Sequence, residues 1–158
     1  MDSVKRKFEK IVEENKDTIY TVCYMFSKDD DEVADLVQES LINLWKGYSR
    51  TQPDNLKGWI YRVCLNTCIS QERKERRHRH ERLTMDISPF DETDARTRQV
   101  GLMHRLIGKL QPFDRALVLL WLENVTYNEI GLILGISAKN VSVRLLRIKE
   151  QLKKMSNK

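Results

Sequence analysis

The sequence contains no apolar run approaching the roughly 20 residues that a membrane-spanning helix needs. The start, "MDSVKRKFEK", lacks the apolar stretch of a signal peptide, so a cytoplasmic protein with no membrane insertion is expected. Glycine and proline are scarce, 6 and 3 among 158 residues, which disfavours a sheet protein built on many tight turns. Cysteine is nearly as rare. Its three copies, Cys23, Cys64 and Cys68, are odd in number and lie inside apolar-periodic segments, which speaks against a disulfide framework and for reduced, packed thiols. No glycine-rich phosphate loop and no nucleophile motif is present, so no catalytic residues, no metal, no cofactor and no enzyme activity are expected.

What is present suits helices. Apolar residues make up 41% of the chain and charged residues 32%, with Leu, Ile, Glu, Lys and Arg prominent, and an all-α protein is the reading. The net charge of +5 is unevenly spread. Residues 29–39 hold Asp29, Asp30, Asp31, Glu32, Asp35 and Glu39, whereas residues 73–82 hold six Arg or Lys against two Glu. One surface is thus built to avoid phosphate and another to meet it.

From Val4 to Phe26 the positions Phe8, Ile11, Val12, Ile19, Val22, Cys23 and Phe26 recur at helical spacing and predict one helix. A second helix carries Val33, Leu36, Val37, Leu41, Leu44 and Trp45 and is expected to end near Gly47. A third buries Leu56, Trp59, Ile60, Val63, Cys64 and Thr67, and the three stripes can close a small bundle. Residues 83–93, around Pro89, have no sustained period and read as a linker, so the domains are placed at 1–82 and 94–158. In the second domain Val100, Met103, Leu106, Ile107 and Leu110 form one expected stripe. Pro112 suits the first turn of the next helix, with Leu117, Leu120 and Trp121.

The most specific local signal is "TYNEIGLILGISAKNVSVRLLRIKEQL", residues 126–152. Thr126 with Glu129 predicts a capped helix start, Gly135 a left-handed stop, and Ser137 the cap of a second helix buried through Val141, Leu145, Ile148 and Leu152. This is a helix-turn-helix. The opposite face offers Lys139, Ser142, Val143, Leu146 and Arg147, with Asn140 and Arg144 alongside. Cations there can meet phosphates or guanine edges, and Val and Leu can touch thymine methyls.

On the third helix Arg62, Asn66, Ser70 and Arg73 form a continuous polar stripe with Tyr61 at its border. Amide, hydroxyl, Arg and an aromatic together can grip unpaired bases, and the basic run to Arg82 can meet duplex phosphate. An ordinary wet face has the same composition, and the segment taken alone leaves both readings open.

"DDEVADLVQESLINLWKGYSR", "LKGWIYRVCLNTCISQERKERR" and "LQPFDRALVLLWLENVTYNEIGLILGISAKNVSVRLLRIKEQLKK" together resemble the extracytoplasmic-function (ECF) sigma factors of bacterial RNA polymerase, over about residues 5–154. The resemblance implies a two-domain fold, a sigma region 2-like bundle and a region 4-like helix-turn-helix domain. It implies binding to core RNA polymerase, through the clamp helices of its largest catalytic subunit and through its flap, and to promoter DNA. The docking face then falls on Asp35, Gln38, Glu39 and Ile42 of the second helix, and Asn43 is expected on that same outward side. Capture of melted minus-10 bases falls on the loop 50–55 and on Tyr61, Arg62, Asn66, Ser70 and Arg73. Reading of the minus-35 duplex falls on Lys139, Asn140, Ser142, Val143, Arg144, Leu146 and Arg147. An anti-sigma factor is a further implied partner. Ser142, Val143 and Leu146 depart from the residues many relatives carry there, as do Gly131 and Leu132 after "EI".

Two other classes fit the sequence less well. A stand-alone helix-turn-helix regulator would need a dimer seam to span two half-sites, and no such heptad stripe is present. A metal sensor would use Cys64, Cys68, His78 and His80, but the two His lie in a basic cluster that repels a cation.

Overall fold

The computed structural model describes residues 2–78 and 95–157. Every element among these residues is a helix, as the composition implies, and the chain divides into two compact units, residues 1–87 and 88–158. The expected linker, 83–93, lies outside the described residues.

Unit 1 contains α1 (Asp2–Glu14), α2 (Lys16–Met25), α3 (Asp30–Arg50) and α4 (Leu56–His78). The single helix expected from Val4 to Phe26 is two. Asn15 interrupts it: its backbone, at φ −116° and ψ 14°, leaves the helical region, and its side-chain amide donates to the Ile11 carbonyl at 2.8 Å. A short amide side chain that competes for a helix carbonyl breaks apolar periodicity without erasing it. α1 rests on the bundle through Phe8, which meets Trp45 edge-on at 5.2 Å and approaches Tyr48 at 5.7 Å.

The acidic run before α3 has a local use. Asp29 is the N-cap, accepting from the Glu32 amide at 2.9 Å, and Asp30, Asp31 and Glu32 occupy the first turn, where the helix dipole favours negative charge. α3 runs three residues past the expected stop at Gly47. Tyr48 is buried against the neighbouring rings, and that burial carries the helix to Arg50.

α4 packs against both α2 and α3. Its buried arc is correspondingly wide and takes in Ile60, Tyr61, Cys64, Leu65 and Cys68. All three cysteines are free and buried. Cys23 lies 3.6 Å from the Ser40 hydroxyl, and Cys64 and Cys68 turn toward the same core. Burial pushes the Cys64 thiol up to about 12, the neighbouring Cys23 adding to the effect, so the packed thiol is held protonated.

Among the described residues of this unit, Glu32 has a carboxyl moved into the neutral range. Burial raises its carboxyl to about 7, with Glu75, Asp29 and Glu72 adding and Lys28 opposing. A carboxyl whose folded pKa is raised makes the folded state hold more protons than the unfolded one. Stability contributed by neutral Glu32 is therefore present below the unfolded value, roughly 4.3, and is lost as pH rises through about 7. Glu32→Gln is expected to raise the thermal midpoint of unit 1 by a few degrees at pH 8 and to leave it nearly unchanged at pH 4. Melting curves at the two pH values check this, and an equal shift at both would contradict it.

Unit 2 contains α5 (Ala95–Gly108), α6 (Pro112–Leu122), α7 (Tyr127–Leu134) and α8 (Ala138–Ser156). Pro112 opens α6 as its position predicts. The core joins Ile107, Leu110, Leu117, Leu120, Ile130, Val141, Leu145 and Ile148. The stripe expected along α5 is only half buried: Ile107 and Leu110 are inside, whereas Val100 and Met103 are exposed. Arg115 is buried and its guanidinium donates to the Gly108 carbonyl at 2.9 Å and the Leu110 carbonyl at 3.0 Å, closing the end of α5 onto α6.

Candidate nucleic-acid and polymerase interface

The helix-turn-helix forms for local reasons. Thr126 caps α7 by accepting from the Glu129 amide at 3.2 Å, and Ser137 caps α8 by accepting from the Asn140 amide at 3.1 Å. Gly135 sits at φ 78°, left-handed, so that its own amide and that of Ile136 both reach the Gly131 carbonyl, at 2.7 and 3.0 Å. Gly131 is needed for a different reason. A Cβ there would collide with the Ile136 carbonyl oxygen, so the departure at this position belongs to the close approach of the turn.

On α8 the exposed face presents Lys139, Asn140, Ser142, Val143, Leu146 and Arg147. Leu146 is 64% and Val143 45% exposed, an unusual investment of apolar surface on a wet helix. Arg144, expected with them, is exposed as well and also engages α6. It lies over the Phe113 ring at 4.7 Å and pairs with Asp114 at 3.4 Å, which ties α8 to α6. Lys149 reinforces the same seam over Trp121 at 4.3 Å. Arg144 and Lys149 thus combine an exposed position with a cation–aromatic contact to α6, which residue type alone does not reveal.

On α4 the structure leaves Arg62, Asn66, Ser70 and Arg73 exposed. Tyr61 does not join them. It is 4% exposed, with the Lys57 ammonium 5.7 Å from its ring centroid, and a ring closed in this way offers no face for a base. The correction follows from the wide buried arc of α4. Lys57 also donates to Thr18 at 2.6 Å, so the first turn of α4 is tied to α2. This tie was not visible in periodicity, since it joins residues 39 apart.

On α3, Asp35, Gln38, Glu39 and Ile42 are all exposed, and Ile42, 42% accessible, is the apolar member of the polar group. Asn43, expected on the same outward side, turns instead to α4 and donates to the Thr67 hydroxyl at 2.9 Å. Beside that bond lies a groove of about 350 Å³, bordered on α3 by Glu39 and Asn43 and on α4 by Asn66, Ser70, Gln71 and Lys74, with Val63 and Thr67 also lining it. The acidic face and the polar stripe therefore share a boundary, which spacing along either helix alone could not reveal.

Residues 11–78 match sigma-70 region 2, and residues 101–152 match sigma-70 region 4. The chain belongs to the sigma-70 family, among its ECF sigma factors. It is 29% identical over 154 residues to the ECF RNA polymerase sigma factor SigE of Mycolicibacterium smegmatis, an alignment covering 92% of this chain and 60% of that protein. With SigW of Bacillus subtilis it shares 25% identity over 93% of this chain and 87% of the relative. The fold resembles the sigma factor RpoE of Bartonella quintana, solved with the anti-sigma factor NepR. The TM-score is 0.76 at 17% identity, over 99% of this chain and 98% of that one. It also resembles CnrH, solved with the cytosolic domain of CnrY, at a TM-score of 0.70 and 22% identity over 97% and 89% of the two chains. The two sigma regions fall one in each unit, region 2 on α1 to α4 and region 4 on α5 to α8. Among the described residues no helix is long and apolar enough to cross a membrane.

Proposed function

We propose that this sigma factor acts as a non-catalytic, cytoplasmic subunit of bacterial RNA polymerase, binding the core enzyme, recognising minus-10 and minus-35 promoter elements and promoting strand opening. The observation that carries the reading is the pairing, in one chain, of an exposed Arg62–Asn66–Ser70–Arg73 stripe with a capped helix-turn-helix whose open face mixes cations and apolar side chains. The stripe suits unstacked bases and the open face of α8 suits a major groove.

In this reading residues 1–82 dock to the core and hold minus-10 bases, residues 83–93 link, and residues 94–158 read the minus-35 duplex. Docking uses Asp35, Gln38, Glu39 and Ile42 against the clamp helices of the largest catalytic subunit, an apolar residue ringed by acids and amides being a helix-docking surface. A second contact joins unit 2 to the flap. Base capture uses Arg62, Asn66, Ser70 and Arg73, without Tyr61. Duplex reading uses Lys139, Asn140, Ser142, Val143, Arg144, Leu146 and Arg147, Arg144 also tying α8 to α6. An anti-sigma factor that covers these surfaces is the matching regulator, in keeping with the solved relatives.

Run-off transcription by core polymerase with and without the chain tests the whole proposal: initiation at discrete start sites is expected only with it. Polymerase-independent footprints on duplex DNA would instead favour a stand-alone regulator. For the docking face, Asp35→Lys with Glu39→Lys is expected to weaken core binding at least tenfold, as reversal of opposed charges at an interface does, without loss of helicity. Competition with the parent for core polymerase checks this. Equal competition would remove the assignment.

A further inference from the structure

The groove between α3 and α4 has a chemical polarity beyond the assignment of its α4 stripe to base capture. Thr67 has one hydroxyl hydrogen, and it is given to the Val63 carbonyl at 2.8 Å. Toward Asn43 that hydroxyl can only accept, so the group facing it at 2.9 Å must be the Asn43 amide nitrogen. The Asn43 side chain then retains its carbonyl oxygen and the second hydrogen of its amide for a ligand. Glu39, four residues earlier on the same helix, adds a carboxylate. On the α3 wall the group that can only accept is therefore the Glu39 carboxylate, while the α4 wall presents Asn66, Ser70 and Gln71, which can donate or accept as Asn43 can, and Lys74, the cation among the lining residues.

We propose that the Glu39 carboxylate is the base-selecting group of this groove, and that the groove admits an unpaired base carrying an exocyclic amine, adenine, cytosine or guanine, in preference to thymine. The inference rests on the reading of unit 1 as the unit that captures unpaired bases. An amine on the base edge donates to the Glu39 carboxylate or the Asn43 carbonyl. Thymine brings two carbonyl oxygens and one ring N–H, and turns acceptors toward that carboxylate. The carboxylate also repels phosphate, so the strand lies with its bases toward α3 and its backbone on the side of Lys74. At about 350 Å³ the groove is at the small end of ligand-sized clefts, roughly 300–1,000 Å³, which suits one extruded nucleotide. Glu39 is thereby a specificity residue at the edge of the docking face as well as a member of it.

The test uses the chain bound to core polymerase and bubble duplexes with a randomised unpaired strand, retained on the complex and sequenced. The parent is expected to deplete thymine about tenfold at one position, the discrimination that a good base-edge contact supplies. Glu39→Gln is expected to erase that depletion, because the glutamine amide can donate to thymine. Asp35→Asn removes the same charge from the docking face outside the groove and is expected to retain it. Comparing bases within one variant cancels any loss of core affinity. The proposal is overturned if no position depletes thymine, if Glu39→Gln keeps the parental ranking, or if it raises retention of all four bases equally, which would mean that the carboxylate only repels the strand. Failure of the underlying reading looks different: Asn66→Ala would then retain bubble DNA as well as the parent, and the parent would not prefer bubbles to closed duplex.

Discussion

Arg115→Leu is expected to lower the thermal midpoint of unit 2 on the order of 10 °C while leaving unit 1 intact. The guanidinium is buried and bonded to the carbonyls of Gly108 and Leu110, at the end of α5. Leucine fills part of the volume but removes both bonds, stranding the buried Leu110 carbonyl while the Gly108 carbonyl is only part-buried, at a cost of about 1–3 kcal/mol. In a unit this small, about 1 kcal/mol moves the midpoint roughly 4–8 °C. α5 packs on both α6 and α8, so the loss extends to the helix-turn-helix. Amide exchange resolved by residue separates the units: protection should fall across residues 101–152 and persist across 11–78. A midpoint within about 3 °C of the parent would show that the carbonyls find other partners.

Asn66→Ala and Arg147→Ala are expected to fail at different steps. Asn66 is exposed on the stripe facing the α3–α4 groove, where a lost base contact costs about 1–3 kcal/mol, or roughly tenfold in occupancy. Arg147 is exposed on the open face of α8, where a comparable loss weakens duplex binding. The Asn66 variant should bind closed promoter DNA and open it poorly, and a premelted template should restore its transcription. The Arg147 variant should bind closed DNA weakly and gain less from the bubble. Permanganate reactivity of unpaired thymines and transcription from both templates measure the difference, with circular dichroism confirming helicity. Equal rescue of the two variants would remove the division of labour even in a working sigma factor.

How far the molecule is legible in its sequence differs between elements for physical reasons. The helix-turn-helix is local: Thr126, Gly135 and Ser137 act on amides a few residues away, so its caps and turn follow from spacing. Pro112 is likewise local. The exposed α4 stripe is also a matter of period, since Arg62, Asn66, Ser70 and Arg73 share one side of one helix. The break at Asn15 is local too, but the same asparagine is tolerated inside other helices, and apolar periodicity continues across it.

Features decided by a partner helix are different in kind. Tyr61 is buried because α4 is covered on two sides, by α2 and by α3. Arg144 and Lys149 contact aromatic rings 31 and 28 positions earlier in the chain, and no pattern along α8 separates them from Arg147. Glu39 and Asn66 share one groove although they lie on different helices. Helical content, the caps, the turn and the polar face of each helix were determined by the sequence alone, because they depend on residues within one or two turns. Which polar residues remain open to a ligand was decided only by tertiary packing, since burial, cation–aromatic contacts and inter-helix hydrogen bonds depend on what the fold brings opposite.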